Sequence, residues 1–287
     1  MGIRDMFRRN KQTEEPNEEI RQSSGEDKKR KERRFSLMVE DVFTSSRFQG
    51  VMVIGNLYGR IRQGDTMYLY QKDKPVREVH VMMIELGPRN EVEMAKNQQV
   101  GLCLDLEHED EVSKMAVLSN VLTEENTEGR KAENPRLLGM SMEYRRFYSN
   151  SVYMDELMYE LCRAKFLLPL YIDRPPFPQP DGTLMFPEET QMGFRTLQKW
   201  DDKEQAMFPV FTDETALASW KDAFQKGQPK HVVVMHFPSL MEQVEKGHVG
   251  VVLNPYGPMA VYFPKELLDS IKNSEDYKQL YGDIIAN

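Results

Sequence analysis

At 287 residues and a formal net charge of −8, the chain is long enough for two compact domains and too acidic overall for a general nucleic-acid binder. No apolar run approaches the length of a membrane span, and the opening MGIRDMFRRNK has basic residues without the apolar stretch of a secretory signal. A soluble, cytoplasmic protein is expected.

From Asn10 to Arg34 the chain is almost entirely Glu, Lys, Arg, Asn, Gln and Ser. Such a segment buries too little apolar surface to offset the entropy of ordering, so residues 1–34 are expected to be a charged, disordered tail. Within it Met1, Ile3, Met6 and Phe7 would share one helical face opposite Arg4, Arg8 and Arg9. That is a short membrane- or partner-contacting helix at most, marginal by itself, and a frayed tail is the plainer expectation. The basic run Lys28–Arg34 reads either as a solvated linker or as an electrostatic foot for RNA or another anionic surface.

Residues 35–121 alternate apolar and polar positions in short runs punctuated by glycine. The expected strands are Phe35–Val42, Gln49–Tyr58, Thr66–Tyr70, Arg77–Glu85, Gln99–Leu104 and Ala116–Ser119. In the first, Phe35, Leu37 and Val39 point one way and Ser36, Met38 and Glu40 the other. Gly55, Gly59, Gly64 and Asp65 are read as structural turn residues of a small barrel. The order of an Asp-Val-Phe strand end (Asp41–Phe43), a glycine-ended strand, an Ile-x-x-Gly-Asp turn (Ile61–Asp65) and a polar turn before Val100-Gly101-Leu102 resembles domain 2 of the elongation-factor-Tu-like translation GTPases. The resemblance implies a translation-factor-type antiparallel β-barrel, and in that family this domain contacts rRNA and the aminoacylated tRNA end. No G-x-x-x-x-G-K-[ST] loop accompanies it, so no GTP hydrolysis by that route is expected.

Residues 122–133 are polar and acidic and read as a linker. A helical region follows: Arg136–Phe147 lacks a clean apolar stripe, whereas Val152–Ala164 has Met154, Leu157, Met158 and Leu161 at helical spacing. The rest reads as α+β: a strand at Lys165–Asp173, a proline loop Arg174–Pro180, an Asp181-Gly182 turn, and strands Met192–Trp200 and Ala206–Phe211. A helix is expected with Thr212 as N-cap and Ala216, Leu217, Trp220 and Phe224 on its buried face. Then come strand His231–Phe237, helix Ser239–Lys246, strands Gly250–Asn254 and Met259–Phe263, helix Lys265–Lys272, and a short tail from residue 274.

In this second region FPVFTDETALASW, running from a strand into a Trp-bearing helix, and GVVLNPYGP, a strand ending in Asn-Pro before a glycine turn, resemble the N-terminal domain of SseB-like proteins over about Met154–Ile271. The resemblance implies an α+β domain over 134–273 without a settled biochemical activity. Rhodanese-like sulfur transfer has been attached to some members. That chemistry needs a thiolate at the head of an anion-stabilising loop, whereas Cys103 is expected mid-strand and Cys162 mid-helix. The five histidines do not gather: His231 and His236 face opposite sides of one strand, and His108 lies in a solvated acidic turn. No catalytic residue, metal or cofactor is expected. Thr212, Asp213, Trp220, Asn254 and Pro255, drawn from the two motifs, are candidates to converge at strand ends, either as a binding surface or as capping, core and turn residues. The expected function is a non-enzymatic adaptor with a protein partner, and the rival is an RNA- or ribosome-associated factor.

Overall fold

The structure is a computed structural model that describes residues 34–44, 49–123, 132–174, 176–180, 184–199, 201–224, 231–257 and 259–285. The Met1–Arg9 helix, the basic run up to Arg33, most of the linker, the Asp181-Gly182 turn and Trp200 lie outside these residues.

The N-terminal region is a closed antiparallel barrel. Its strands are β1 (Ser36–Met38), β2 (Asp41–Thr44), β3 (Val51–Tyr58), β4 (Arg60–Arg62), β5 (Thr66–Tyr70), β6 (Arg77–Glu85), β7 (Glu91–Val92), β8 (Met94–Lys96), β9 (Gln99–Leu104) and β10 (Val117–Ser119). The ring runs β1-β10-β5-β6-β9-β3 and closes through β1–β3, with β2 continuing beside β3 where β1 leaves off. Leu37, Val53, Leu57, Leu69, Val79, Leu102 and Leu118 fill its interior. The stretch expected as one strand, Phe35–Val42, is two, because the chain changes neighbours: Val39 N–H donates to Ala116 and Glu40 N–H to Ile54. Gly55 is not a turn residue. It sits within β3, where a Cβ would run into the Met38 carbonyl and the Leu37 side chain, so the β1–β3 closure requires its bare backbone. Gly59 and Gly64 do occupy positive φ (103° and 82°), and Asp65 Oδ2 accepts from Arg62 N–H at 2.8 Å across the turn.

The second region is mixed α/β. Its helices are α1 (Pro135–Phe147), α2 (Ser151–Arg163), α3 (Glu214–Ala218), α4 (Phe237–Val244), α5 (Lys265–Lys272) and α6 (Glu275–Ile285). The strands are β11 (Lys165–Ile172), β12 (Phe177–Pro178), β13 (Leu184–Met185), β14 (Met192–Phe194), β15 (Leu197–Gln198), β16 (Ala206–Val210), β17 (His231–His236), β18 (His248–Leu253) and β19 (Val261–Pro264). One sheet is ordered β14-β11-β17 and another β15-β16-β18-β19. A Leu167–Phe211 bridge joins them. Within them only β16 and β18 run parallel. The expected strand Met192–Trp200 is divided at Arg195-Thr196, because β14 pairs with β11 and β15 with β16. Pro169 is tolerated inside β11 because its ring nitrogen faces the gap between the Phe211 bridge and β14.

The two regions share one core. Met38, Val117 and Tyr70 form a single row across β1, β10 and β5, on the outer face by the strand alternation that sends Leu37, Leu118 and Leu69 inward. That row joins Leu137 and Met140 of α1, Tyr153 and Leu157 of α2, and Phe166, Phe208 and Phe263 beneath them. Helix α1 is therefore covered on both sides, which is why no clean stripe is legible in its sequence. Gly139 lets it approach: a Cβ there would lie 2.5 Å from Val117 Cγ1 and 2.6 Å from Ser36 Oγ. Tyr58 Oη donates to the Met142 carbonyl at 3.1 Å, and Arg146 pairs with Glu40 of the barrel at 2.6 Å. Glu275–Ile285, read as part of a tail, instead form α6, where Tyr277 is buried and Tyr281 Oη donates to the Cys162 carbonyl at 2.8 Å.

Candidate functional site at the ends of two parallel strands

The residues singled out from the sequence meet where β16 and β18 end side by side. Asn254 N–H donates to the Val210 carbonyl at 2.8 Å, which locks the two strand ends together. Asn254 takes a left-handed conformation (φ 49°), one that asparagine tolerates better than most side chains. Its Oδ1 accepts from Thr212 N–H at 3.0 Å and its Nδ2 donates to Thr212 Oγ1 at 3.0 Å. Thr212 Oγ1 in turn donates a hydrogen bond to Asp213 Oδ2 at 2.8 Å.

The N-cap of α3 is Asp213, not Thr212. Asp213 Oδ1 accepts from Thr215 and Ala216 N–H at 2.8 and 3.1 Å. The carboxylate is the better acceptor, and the hydroxyl is left to bind the carboxylate's other oxygen. Helix α3 stops at Ala218, so Trp220 lies beyond the helix that was expected to carry it. Trp220 is buried between Phe211 and Tyr256, with ring centroids 6.0 and 5.3 Å away. Thr212, Asp213 and Asn254 are buried, Pro255 is half-buried, and Tyr256 leaves an exposed ring at the surface.

Three contributors escaped the sequence reading. Arg34, the first described residue before the barrel, donates from Nη1 to Asp213 Oδ1 at 2.8 Å and from Nη2 to Glu133 Oε1 at 2.7 Å. Asn134 Nδ2 donates to the carbonyls of Thr212 and Lys165, both at 2.7 Å. Arg34 had read as the last member of a charge run and Glu133 as the end of a linker, and no local signal marks either as a partner of Asp213. Asp213 Oδ1 thus takes three donors and Oδ2 a fourth. A carboxylate so committed clasps the chain segments that supply its donors.

Burial raises the Glu133 carboxyl above the usual glutamate range, against the pull of Arg34. An acid whose folded pKa lies above its unfolded one binds more protons in the folded state, so its contribution to stability falls as pH rises from the ordinary glutamate range through the raised value. Glu133→Gln is therefore expected to flatten the wild-type loss of thermal stability in that window. Melting curves across the pH series check this, and parallel curves for the two proteins would refute it.

Cys103 lies in β9 and Cys162 in α2, both buried. Burial raises both, and Cys162 to about 12. Neither is expected to react with a thiol reagent at neutral pH until the chain unfolds; rapid modification of the native protein would contradict this placement. Burial also lowers His248 and, with help from Lys165, His236. Among the described residues no group of His, Cys, Asp and Glu could hold a metal ion, and no helix is long and apolar enough to cross a membrane.

Residues 144–270 match the SseB protein N-terminal domain, beginning in the last turn of α1 and so earlier than the motifs alone suggested. No curated protein matches the chain. The barrel and most of α1 precede the match and α6 follows it. The mixed α/β region that carries the Thr212–Asp213–Asn254 clasp is accordingly an SseB domain.

Proposed function

We propose that this is a non-enzymatic, cytoplasmic adaptor in which an elongation-factor-Tu domain-2-like barrel and an SseB domain form one rigid platform for a protein partner. The observation that carries the reading is the continuous apolar core built on the Met38–Val117–Tyr70 row. A shared core presents both regions to a partner in one fixed relation, which lowers the ordering cost of binding. The saturated Asp213 clasp supports the same reading, since its polar atoms hold Arg34, α3 and β18 together.

A second reading, an RNA- or ribosome-associated factor, is favoured by one feature. Arg60, Arg62 and Lys96 are all exposed on the β4–β8 ribbon, with Arg60 opposite Lys96. The ribbon would act with the basic segment 28–34. Against it, the first 34 residues hold 11 Lys/Arg and 8 Asp/Glu, leaving 27 Lys/Arg against 38 Asp/Glu in the body. A body of that sign repels phosphate except where the charges segregate.

Sedimentation of the tagged full chain in native lysate, with and without RNase, separates the two. The adaptor reading expects a larger species that RNase leaves intact and that crosslinking resolves into this chain and a protein. Loss of that species on RNase treatment would hand the function to the second reading. A small species with no crosslinked protein would sink both.

A further inference from the structure

The face that the barrel turns toward α1 carries a polar row beside its apolar one. Two residues along from Met38, Val117 and Tyr70, Tyr58 lies opposite Ser36, Ser36 opposite Ser119, and Ser119 opposite Tyr68. Strand alternation keeps Ser36 and Ser119 on the same outer face as Met38 and Val117. Helix α1 covers this row as well. A Cβ at Gly139 would lie 2.6 Å from Ser36 Oγ, and Tyr58 Oη reaches the Met142 carbonyl. Glu143, one turn on from Gly139 and so on the same helix face, brings a carboxylate to the row, and that residue is fully buried. Burial, and after it the charge of Glu143, pushes the Tyr58 phenol up to about 12.

Most polar atoms at this contact are matched. Ser119 Oγ accepts from Val121 N–H at 3.2 Å. Tyr58 has one phenolic proton, and it goes to the Met142 carbonyl at 3.1 Å. Glu143 Oε2 accepts from Arg146 Nη1 at 2.7 Å, and Arg146 also holds Glu40 at 2.6 and 2.9 Å. Two atoms remain. Ser36 Oγ and Glu143 Oε1 are both buried, and neither has a hydrogen-bond partner among the described residues.

A buried oxygen without a partner is costly, and a carboxylate oxygen most of all. Two such atoms at one helix–strand contact call for a shared partner, and their chemistry selects it. Glu143 Oε1 needs a donor, whereas Ser36 Oγ can donate or accept. Gly139, which lies over Ser36, and Glu143 are about 6 Å apart along the helix axis. One small molecule making two ordinary hydrogen bonds spans about 5.5 Å. A cation would suit the carboxylate but would sit beside the Arg146 guanidinium. Water has the size and both hydrogen-bonding senses. We propose that the junction binds one ordered water, which donates to Glu143 Oε1 and accepts from Ser36 Oγ, and that this bridge fixes the register of α1 on the barrel.

A crystal structure of the full chain, at a resolution that shows ordered water, tests the bridge directly. The expected result is a water within hydrogen-bond distance of both oxygens. Thermal melts of Ser36→Ala give a second readout, because the sign of the shift differs between the two cases. Loss of a bonded hydroxyl should lower the midpoint by about 2–4 °C, whereas removing an unbonded one should leave it unchanged or raise it. Oxygen-17 relaxation dispersion, which counts long-lived internal waters, should find one fewer in Glu143→Met than in wild type. Circular dichroism establishes that each variant is folded. A junction with no water touching both oxygens, or one in which Tyr58 Oη turns to Glu143 Oε1 instead, overturns the proposal. So does a Ser36→Ala chain that melts at or above the wild-type temperature, or an equal water count in folded Glu143→Met.

Discussion

Gly139→Leu is expected to destabilise the whole protein by about 2–3 kcal/mol, the cost of forcing a side chain into a filled contact. Leucine is a better helix former than glycine, so any loss must come from packing. The contact is specific: a Cβ at 139 meets Val117 Cγ1 at 2.5 Å and Ser36 Oγ at 2.6 Å, in the row where barrel and SseB region share their core. Thermal unfolding should show a midpoint lower by roughly 5–10 °C for a chain of this size. Val117→Ala opens space beneath the helix, so Gly139→Ala and Val117→Ala should be markedly non-additive in a double-mutant cycle. A Gly139→Leu protein that melts like wild type would mean that α1 does not lie against β10, and the shared core would fall with it.

Asp213→Ala should cost about 2–3 kcal/mol. One part is the lost N-cap of α3, about 1 kcal/mol; the rest is the desolvation of donors left facing an apolar methyl. The donors concerned are Thr215 and Ala216 N–H, Thr212 Oγ and the Arg34 guanidinium. Asparagine caps a helix as well as aspartate does, so Asp213→Asn isolates the charge and should lose about 1 kcal/mol or less, because Arg34 keeps Glu133. Chemical denaturation of the two variants beside wild type reads both numbers. Equal losses for Ala and Asn would show that the ion pair with Arg34, not the cap, dominates the clasp. A negligible loss for Ala would remove the clasp as an element of stability.

Much of this architecture is legible in the residues. Period-two alternation in Phe35–Val39 assigns Leu37 and Met38 to opposite faces, and the structure sends the first into the barrel and the second into the neighbouring core. The Thr212–Asp213 and Asn254–Pro255 motifs converge because parallel strands place their carboxyl ends together. Their roles were less legible. Thr212 and Asp213 are both good caps by type, and only the second oxygen acceptor, with Arg34 beyond it, decides between them. Gly55 looks like a turn in a glycine-punctuated run, yet its constraint comes from the Met38 carbonyl, 17 residues earlier in the chain.

Local chemistry determined what the sequence could reveal alone: strand periodicity, the helix of α2, the Gly64-Asp65 turn and the ordered motifs of the SseB domain. These depend on a residue and its near neighbours, where sterics and hydrogen bonding act within a few positions. The tertiary structure decided what covers each face. It set the Met38–Val117–Tyr70 row under α1, the division of the 192–200 stretch between two sheets, the docking of α6, and the reach of Arg34 across 179 residues to Asp213. Alternation says that a strand has an outer face and cannot say what will lie on it, because that partner is chosen by packing between segments far apart in the chain.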